Sequence, residues 1–166
     1  MVSKALESLG TIFVEQPCRT LEECLIVRQR TSLPMILDEV ITDLQTLMRA
    51  YQAGAMEAIN LKLSRAGGLT RARLMRDVAE ELGLRLTIED TWGGDLTTAA
   101  ISQLAASTAP EALFTVSYMN DWVNEHIAGY MPRSAEGYGT VSLLPGLGID
   151  VDVERLGAPE FSFRAP

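Results

Sequence analysis

Five short apolar runs recur along the chain, and each is followed by a segment with helical periodicity. The runs are TIFVEQP, PMILDE, AINLKLS, LRLTIED and ALFTVSYM, and the distances between their centres are 23, 24, 26 and 29 residues. Regular alternation of strand and helix at this spacing is typical of βα units with a parallel sheet. The runs are continuously apolar, which predicts strands that are covered on both faces.

Helix signals occupy the segments between the runs. Thr20 with Glu23 and Thr42 with Gln45 each predict a capping box at the start of a helix. Gly83 follows the third helical segment at the position where a glycine often ends a helix. The pattern therefore predicts an α/β fold in which helices connect successive parallel strands.

The number of βα units leaves two architectures open. A closed eight-stranded barrel typically needs about 200 residues or more, so five units cannot close one alone. A five-stranded doubly wound sheet fits the length. The alternative is part of a barrel whose first strands are missing. In either case residues 120–148, which are rich in Gly, Pro, Asn and Ser, are predicted to be irregular.

Composition and charge narrow the class of protein. The chain has 166 residues, of which 47% are hydrophobic and 22% are charged, so it is predicted to be one globular domain rather than a disordered segment. With 14 basic and 22 acidic residues the net charge is −8, which disfavours nucleic acid as a partner. No apolar stretch approaches the length of a membrane helix, and MVSKALESLG lacks the apolar core of a signal peptide. We therefore expect a cytoplasmic protein with no membrane contact.

Several of the predicted strands end in an ionisable residue. These residues are Glu15, Asp38 with Glu39, Lys62, and Glu89 with Asp90. The carboxyl ends of parallel strands are where α/β proteins bind ligands, and they meet at one rim. Carboxylates that converge there repel one another unless a cation lies among them, and oxygen ligands favour Mg²⁺. Strands also end in charged residues simply because they end at water, but acid, acid, lysine and acid in succession favour a site.

Four segments of the chain resemble a known family. VEQP, ILDE, NLKLSRAGGL and PGLGI occur in this order over about residues 10–150. In this respect the chain resembles the C-terminal part of the barrel of the enolase superfamily, in the mandelate racemase and muconate lactonizing enzyme group. The segment TWGGD followed by TTAAISQLAAS resembles, within that group, cis-3-hydroxy-L-proline dehydratases and hydroxyproline betaine epimerases.

The resemblance implies roles for individual residues. Glu15 and Asp38 match two of three Mg²⁺ ligands, and Glu39 matches an acid that supports them from behind. Lys62 matches the lysine that exchanges a proton with the substrate on one face. The implied reaction removes a proton next to the carboxylate of a small amino-acid or proline derivative, as a racemase, epimerase or dehydratase does. A lysine beside a bound cation is pushed towards its neutral form, as a general base requires.

Four further residues are weaker candidates for contact with the substrate. Trp92 is expected to lie against a cationic ring nitrogen by a cation–π contact, and Asp95 to pair with the same charge. Asp121 and Trp122 are expected at the end of the last strand, in the substrate pocket. For each of the four residues a purely structural role is the alternative.

The chain also departs from the family pattern. Family members carry an N-terminal capping domain, a K-x-K pair on the second barrel strand and a first metal aspartate on the third, and this sequence has no matching segment. Residues 1–145 are therefore predicted to form a partial TIM (β/α) barrel of strands four to eight. Residues 146–166 form a tail that is expected to pack on the absent capping domain. A natural truncation, one product of a split gene and a shortened chain all fit the sequence.

These departures lead to two hypotheses about function. The chain is either part of a Mg²⁺-dependent enzyme that is inactive alone, or a non-catalytic truncated barrel that acts only through association. With two metal carboxylates it is expected to bind Mg²⁺ weakly. An open half-barrel exposes two strand edges, so we expect it to self-associate or to pair with a missing N-terminal half.

Overall fold

A curved sheet of five parallel strands organises the molecule. The structure is a computed structural model that describes residues 2–10 and 12–162. The strands are β1 (Val14–Glu15), β2 (Met35–Leu37), β3 (Ala58–Lys62), β4 (Arg85–Glu89) and β5 (Leu113–Val116), and they lie in the order β1-β2-β3-β4-β5. All four neighbouring pairs are parallel. Strictly sequential order is that of a (βα)₈ barrel, whereas a doubly wound sheet reverses its order at a switch point. The partial barrel is therefore confirmed, and the doubly wound alternative is excluded.

The helices follow the strands as the sequence predicts. They are α1 (Val2–Glu7), α2 (Leu21–Arg28), α3 (Leu44–Gln52), α4 (Leu63–Ala66), α5 (Leu69–Glu81) and α6 (Asp95–Ala106). Helices α2 to α6 succeed the first four strands and pack against the sheet, because one stripe of each is apolar. The two glycines between α4 and α5, Gly67 and Gly68, have φ angles of 91° and 101°, a region that favours glycine.

One of the two predicted capping boxes is confirmed and the other is wrong by one residue. Thr20 caps α2 as expected, with the Thr20 side chain accepting from Glu23 N and the Glu23 carboxylate accepting from Thr20 N. Helix α3 is capped instead by Asp43, whose carboxylate accepts from Thr46 N at 2.8 Å. Asp43 takes this position because Thr46 lies three residues later and its hydroxyl accepts from Asp43 N at 3.1 Å.

The two faces of the sheet differ in chemistry. Alternate side chains of the central strands, including Ile59, Leu61, Leu86 and Ile88, belong to the hydrophobic core that the helices cover. The other side chains lie on the concave face, which becomes polar towards the carboxyl ends of the strands. Here the rings of Phe13 and Phe114 meet with centroids 4.9 Å apart, although these residues belong to the two outer edges of the sheet.

The chain after β5 is irregular, as predicted. It contains a 3₁₀ helix (Met119–Trp122), a small hairpin of β6 (Ser134–Ala135) and β7 (Tyr138–Gly139), and a second 3₁₀ helix (Val153–Leu156). Large apolar side chains are exposed along this part, and Leu143 is 97% accessible. The proposed boundary between residues 145 and 146 and the packing of the tail on a capping domain stay predictions, and residues 163–166 lie outside the described part. Within the described ranges, every helix is too short or too polar to cross a bilayer.

Candidate active site

The carboxyl ends of β2, β3 and β4 bring together four of the charged strand-end residues of the sequence. Lys62 Nζ lies 2.7 Å from Asp38 Oδ2 and 3.4 Å from Glu89 Oε1. Glu39 Oε1 is 4.0 Å from the same Nζ atom, and its side chain is 58% exposed. Asp38, Glu39 and Lys62 are thus grouped at one rim of the sheet, with Glu39 at the outer edge of the group.

Asp38 is held between two cations. It is 3% exposed, and its second oxygen accepts from Arg65 Nη1 at 2.7 Å. Arg65 is in α4, three residues after Lys62, so the abrupt start of that helix places both cations on one carboxylate. Burial raises the pKa of Asp38, but the hydrogen bonds from Lys62 and Arg65 outweigh it, and the net pKa is lowered. The carboxylate therefore stays ionised at neutral pH.

The protein groups around Lys62 raise its pKa, whereas the sequence argument concerns the lysine beside a bound cation and stays a prediction. Burial lowers the pKa of Lys62. The hydrogen bond to Asp38 and the charges of Asp38 and Glu89 raise the pKa by more than burial lowers it, so the net pKa is raised. The physical reason is that two carboxylates face the ammonium group directly. Lys62 in this arrangement is charged and holds a proton that it can donate.

Glu15, at the end of β1, is linked to β3 by a hydrogen bond from Asn60. Asn60 Nδ2 donates to Glu15 Oε1 at 3.0 Å across the concave face, from β3 to β1. Asn60 is 4% exposed, and its Oδ1 atom has no hydrogen-bond partner among the described residues. The carboxylates of Glu15 and Asp38 are hard oxygen ligands of the kind that Mg²⁺ prefers, and an unpartnered buried amide oxygen beside them fits a cation.

The donor set is nevertheless incomplete. Among residues 2–10 and 12–162, no three His, Cys, Asp or Glu side chains are grouped closely enough to hold a metal ion. The residues present offer two carboxylates on neighbouring strands, and both oxygens of Asp38 accept from Lys62 and Arg65.

Glu89 is a site residue that the sequence analysis noted as a strand end but left out of the candidate site. Besides its contact with Lys62, its Oε2 atom accepts from Ser117 Oγ at 3.0 Å. Burial raises the pKa of Glu89. The sequence shows only that Lys62 and Glu89 each end a strand, whereas their pairing in register is seen in the fold. Its neighbour Asp90 accepts from Ser64 N at 3.0 Å and from Thr91 N at 2.7 Å, so it fixes the turns instead.

A cavity of about 870 Å³ opens beside Lys62 and Glu89. Three of the weaker candidates line it, namely Trp92, Asp121 and Trp122. The two tryptophan rings meet edge to face with centroids 6.2 Å apart. Asp121 accepts from the hydroxyl of Tyr130 at 2.8 Å. The cavity thus combines a cation, acids and aromatic faces, and its volume suits a small organic substrate.

Asp95 lies elsewhere. It is 1% exposed and does not line the cavity. Its Oδ1 atom accepts from Asn120 Nδ2 at 3.0 Å and lies 3.0 Å from His126 Nδ1, and its Oδ2 atom accepts from Ala128 N at 2.8 Å. Burial raises the pKa of Asp95, but these hydrogen bonds and the charge of His126 outweigh it, so the net pKa is lowered. Asp95 therefore holds the segment after β5 against the start of α6. It lies outside the cavity in which its contact with substrate is expected.

The fold and the rim define a known class of protein. The chain belongs to the enolase C-terminal domain-like family, which it matches over residues 1–156. It is 49% identical over 155 residues to cis-3-hydroxy-L-proline dehydratase of Roseibium aggregatum, covering 93% of this chain and 42% of that protein. It is 28% identical over 158 residues to o-succinylbenzoate synthase of Bacillus subtilis, covering 90% and 41% respectively.

Solved structures agree with this assignment. A member of the enolase superfamily from Roseovarius nubinhibens, complexed with magnesium, superposes with a TM-score of 0.90 and 36% identity, covering 98% of this chain and 45% of that one. A mandelate racemase/muconate lactonizing enzyme from the same organism gives a TM-score of 0.92 at 34% identity, covering 99% and 44%. The chain thus spans less than half the length of these relatives.

Proposed function

We propose that this chain is the C-terminal barrel part of a Mg²⁺-dependent enzyme that removes a proton next to the carboxylate of a proline derivative. The observation that carries the proposal is the position of Lys62. Its ammonium group lies between Asp38 and Glu89 at the rim of the sheet and faces the cavity. A partly buried lysine with two acid partners in a substrate-sized cavity is a strong candidate for proton transfer.

Glu15 and Asp38 are the residues that would hold the metal. Mg²⁺, when bound, supplies positive charge against the negative charge that develops on a carboxylate when the neighbouring carbon loses its proton. Asn60 orients the Glu15 carboxylate by hydrogen bonding, and Arg65 orients that of Asp38. Two carboxylates alone are expected to bind the ion weakly, and a third ligand is expected from outside this chain.

Lys62 acts as the acid and base on one face of the substrate. The neutral amine of Lys62 would accept the α-proton when it leaves on this face. When the α-proton has left on the opposite face, the charged form of Nζ would donate a proton to the carbanion that results. Glu39 and Glu89 balance the charge of the ammonium form. The base on the opposite face is expected from the K-x-K segment, which this sequence lacks.

The cavity suggests the class of substrate. Glu89 and the faces of Trp92 and Trp122 provide a negative charge and aromatic surface for a cationic ring nitrogen. The relative at 49% identity is named as a dehydratase of cis-3-hydroxy-L-proline, which has such a nitrogen at neutral pH. We therefore infer a proline derivative as substrate, with dehydration and epimerisation both compatible with proton removal at Cα.

The experiment is proton exchange followed by NMR. The purified chain is incubated with Mg²⁺ and cis-3-hydroxy-L-proline in D₂O, alone and with the N-terminal part of the R. aggregatum dehydratase. We expect no turnover by the chain alone, because losing one general base typically costs about 10²–10⁴-fold in rate. Turnover is expected with the added part.

Two lysine variants make the result specific. Lys62→Ala is expected to abolish turnover by the reconstituted pair, whereas Lys4→Ala, the matched loss of the only other lysine in the sequence, is expected to leave it unchanged. Full turnover by the isolated chain would contradict the proposal of an incomplete enzyme. No turnover in a pair that assembles stably would favour a non-catalytic barrel domain.

A further inference from the structure

The chain turns sharply at the end of β1, immediately after Glu15. Gln16 has a φ angle of 31°, a region that non-glycine residues rarely occupy, and Pro17 follows it. Such strain persists only where neighbouring contacts hold the backbone in place, and it concentrates at ligand sites. The contacts that hold Gln16 are therefore informative about the site beside it.

The side chain of Gln16 makes the hydrogen bond to β2 that its backbone carbonyl would make in a regular parallel ladder. Val14 N donates to Pro34 O and Gln16 N donates to Ile36 O, both at 2.9 Å, as in a regular parallel pair. The next bond of such a ladder would run from Asp38 N to the backbone carbonyl of Gln16. Instead, Asp38 N donates to the side-chain Oε1 atom of Gln16 at 2.8 Å.

The other end of the same amide is anchored as well. Gln16 Nε2 donates to the carbonyl of Cys18 at 2.7 Å and lies 3.7 Å from the buried Cys24 Sγ atom. The amide thus has partners on both sides and has little freedom to rotate. Because β1 is only two residues long and lies at the edge of the sheet, few other contacts fix the carboxyl end of this strand.

We propose that Gln16 is a positioning residue that fixes Glu15 and Asp38 relative to each other for a shared cation. The inference rests on the proposed function, which assigns the metal to these two carboxylates. Both ends of the Gln16 amide are bonded to protein groups, so Gln16 acts through Asp38 and Glu15. The Gln16 side chain holds the backbone of Asp38 by a hydrogen bond. Gln16 is also joined to Glu15 by a peptide bond, so the position of Gln16 sets the separation of the two carboxylates.

The test compares Gln16→Met with Gln103→Met in the full chain. Gln103 is the control because its amide also joins two segments, donating to Ser142 O at 3.0 Å and to Leu147 O at 3.4 Å, but not to the strand ends. Mn²⁺ binding is measured by electron paramagnetic resonance, and exchange of the Asp38 amide by hydrogen–deuterium mass spectrometry. We expect Gln16→Met to weaken Mn²⁺ binding by about 10–100-fold, as for other residues that support metal ligands, and to speed exchange at Asp38.

Gln103→Met is expected to change neither quantity. Gln16→Glu keeps an oxygen acceptor for Asp38 N and is expected to keep that amide protected, which provides a test even if Gln16→Met does not fold. Loss of protection in Gln16→Glu, or equal Mn²⁺ affinity in Gln16→Met and the unchanged chain, would overturn this proposal alone. If Glu15→Gln and Asp38→Asn leave Mn²⁺ binding unchanged, the proposed metal site fails and this proposal fails with it.

Discussion

Two buried aspartates, Asp38 and Asp95, are alike in exposure, hydrogen bonding and pKa, but they differ in the partners that surround them. Both are almost inaccessible, both accept several hydrogen bonds and both have a lowered pKa. Asp38 is neutralised by Lys62, which borders a cavity. Asp95 is enclosed by neutral donors and a histidine from the segment after β5. Burial and a lowered pKa therefore do not separate a site from a structural anchor, whereas a cationic partner at a cavity does.

The largest effect that separates the two aspartates is expected in folding stability. Asp95→Asn places an amide among three donors and leaves at least one of them unpaired, so the free energy of unfolding should fall by about 2–3 kcal/mol. Urea denaturation measures this. Asp121→Asn is the matched control, because that aspartate is exposed and its change should cost less than about 1 kcal/mol. Equal losses in the two variants would remove the distinction.

The second effect is expected in metal binding. Asp38→Asn should weaken Mn²⁺ or Mg²⁺ binding at least about tenfold, because it removes one of two carboxylates from an already weak site. Titration calorimetry measures this. Glu111→Gln removes the same charge from an exposed residue that precedes β5, at the other end of the sheet, and should leave the affinity within about threefold. Tight Mg²⁺ binding that Asp38→Asn does not change would contradict the assignment of Asp38.

A third effect is expected in the pH dependence of stability. The folded pKa of Asp95 is lowered, so its contribution is complete above its unfolded pKa of about 3.9 and is lost as pH falls through the lower folded value. The stability difference between the unchanged chain and Asp95→Asn should therefore shrink below about pH 4. Urea midpoints at several pH values below about pH 5 measure this, and a difference that grows between about pH 4 and pH 2 has the wrong sign.

The smallest effect on stability is expected at the cavity itself. Trp122 is 74% exposed, so Trp122→Ala should change the free energy of unfolding by less than about 0.5 kcal/mol. In the reconstituted enzyme the same change should raise KM for a cationic substrate several-fold, since a cation–π contact contributes about 0.5–2 kcal/mol. Steady-state kinetics measures this. An unchanged KM together with a large loss of stability would make Trp122 a packing residue.

The five strands could be predicted from the sequence because each is a dense apolar run at regular spacing. The charged residues at the rim could be predicted because each βα unit ends its strand at the same position, and several strands end in an ionisable residue. Helix α3 is capped one residue later than the sequence pattern predicts, since Thr42 and Asp43 are both good capping residues and the choice depends on Thr46 in the folded turn. Local patterns fix elements, whereas the choice between adjacent polar residues depends on the final geometry.

The roles of Asp95 and Glu89 could not be separated from sequence alone. Asp95 follows a glycine pair in a segment that resembles a substrate loop, but its partners lie between 25 and 33 residues further along the chain. Glu89 ends a strand like several other acids, and its importance comes from its pairing in register with Lys62. Both outcomes depend on contacts between distant segments, which neither periodicity nor motif spacing encodes.

The ring contact between Phe13 and Phe114 limits what can complete the barrel. In a closed circle of eight strands, the first and fifth strands of this chain would face each other across the axis. Two phenyl rings that already meet there, at 4.9 Å, occupy the middle of the lumen at that level. If three further strands close the circle, their inward side chains opposite this pair must leave room for the two rings, so glycine or alanine is expected there. A candidate partner can be screened by that steric rule before any assay of catalysis.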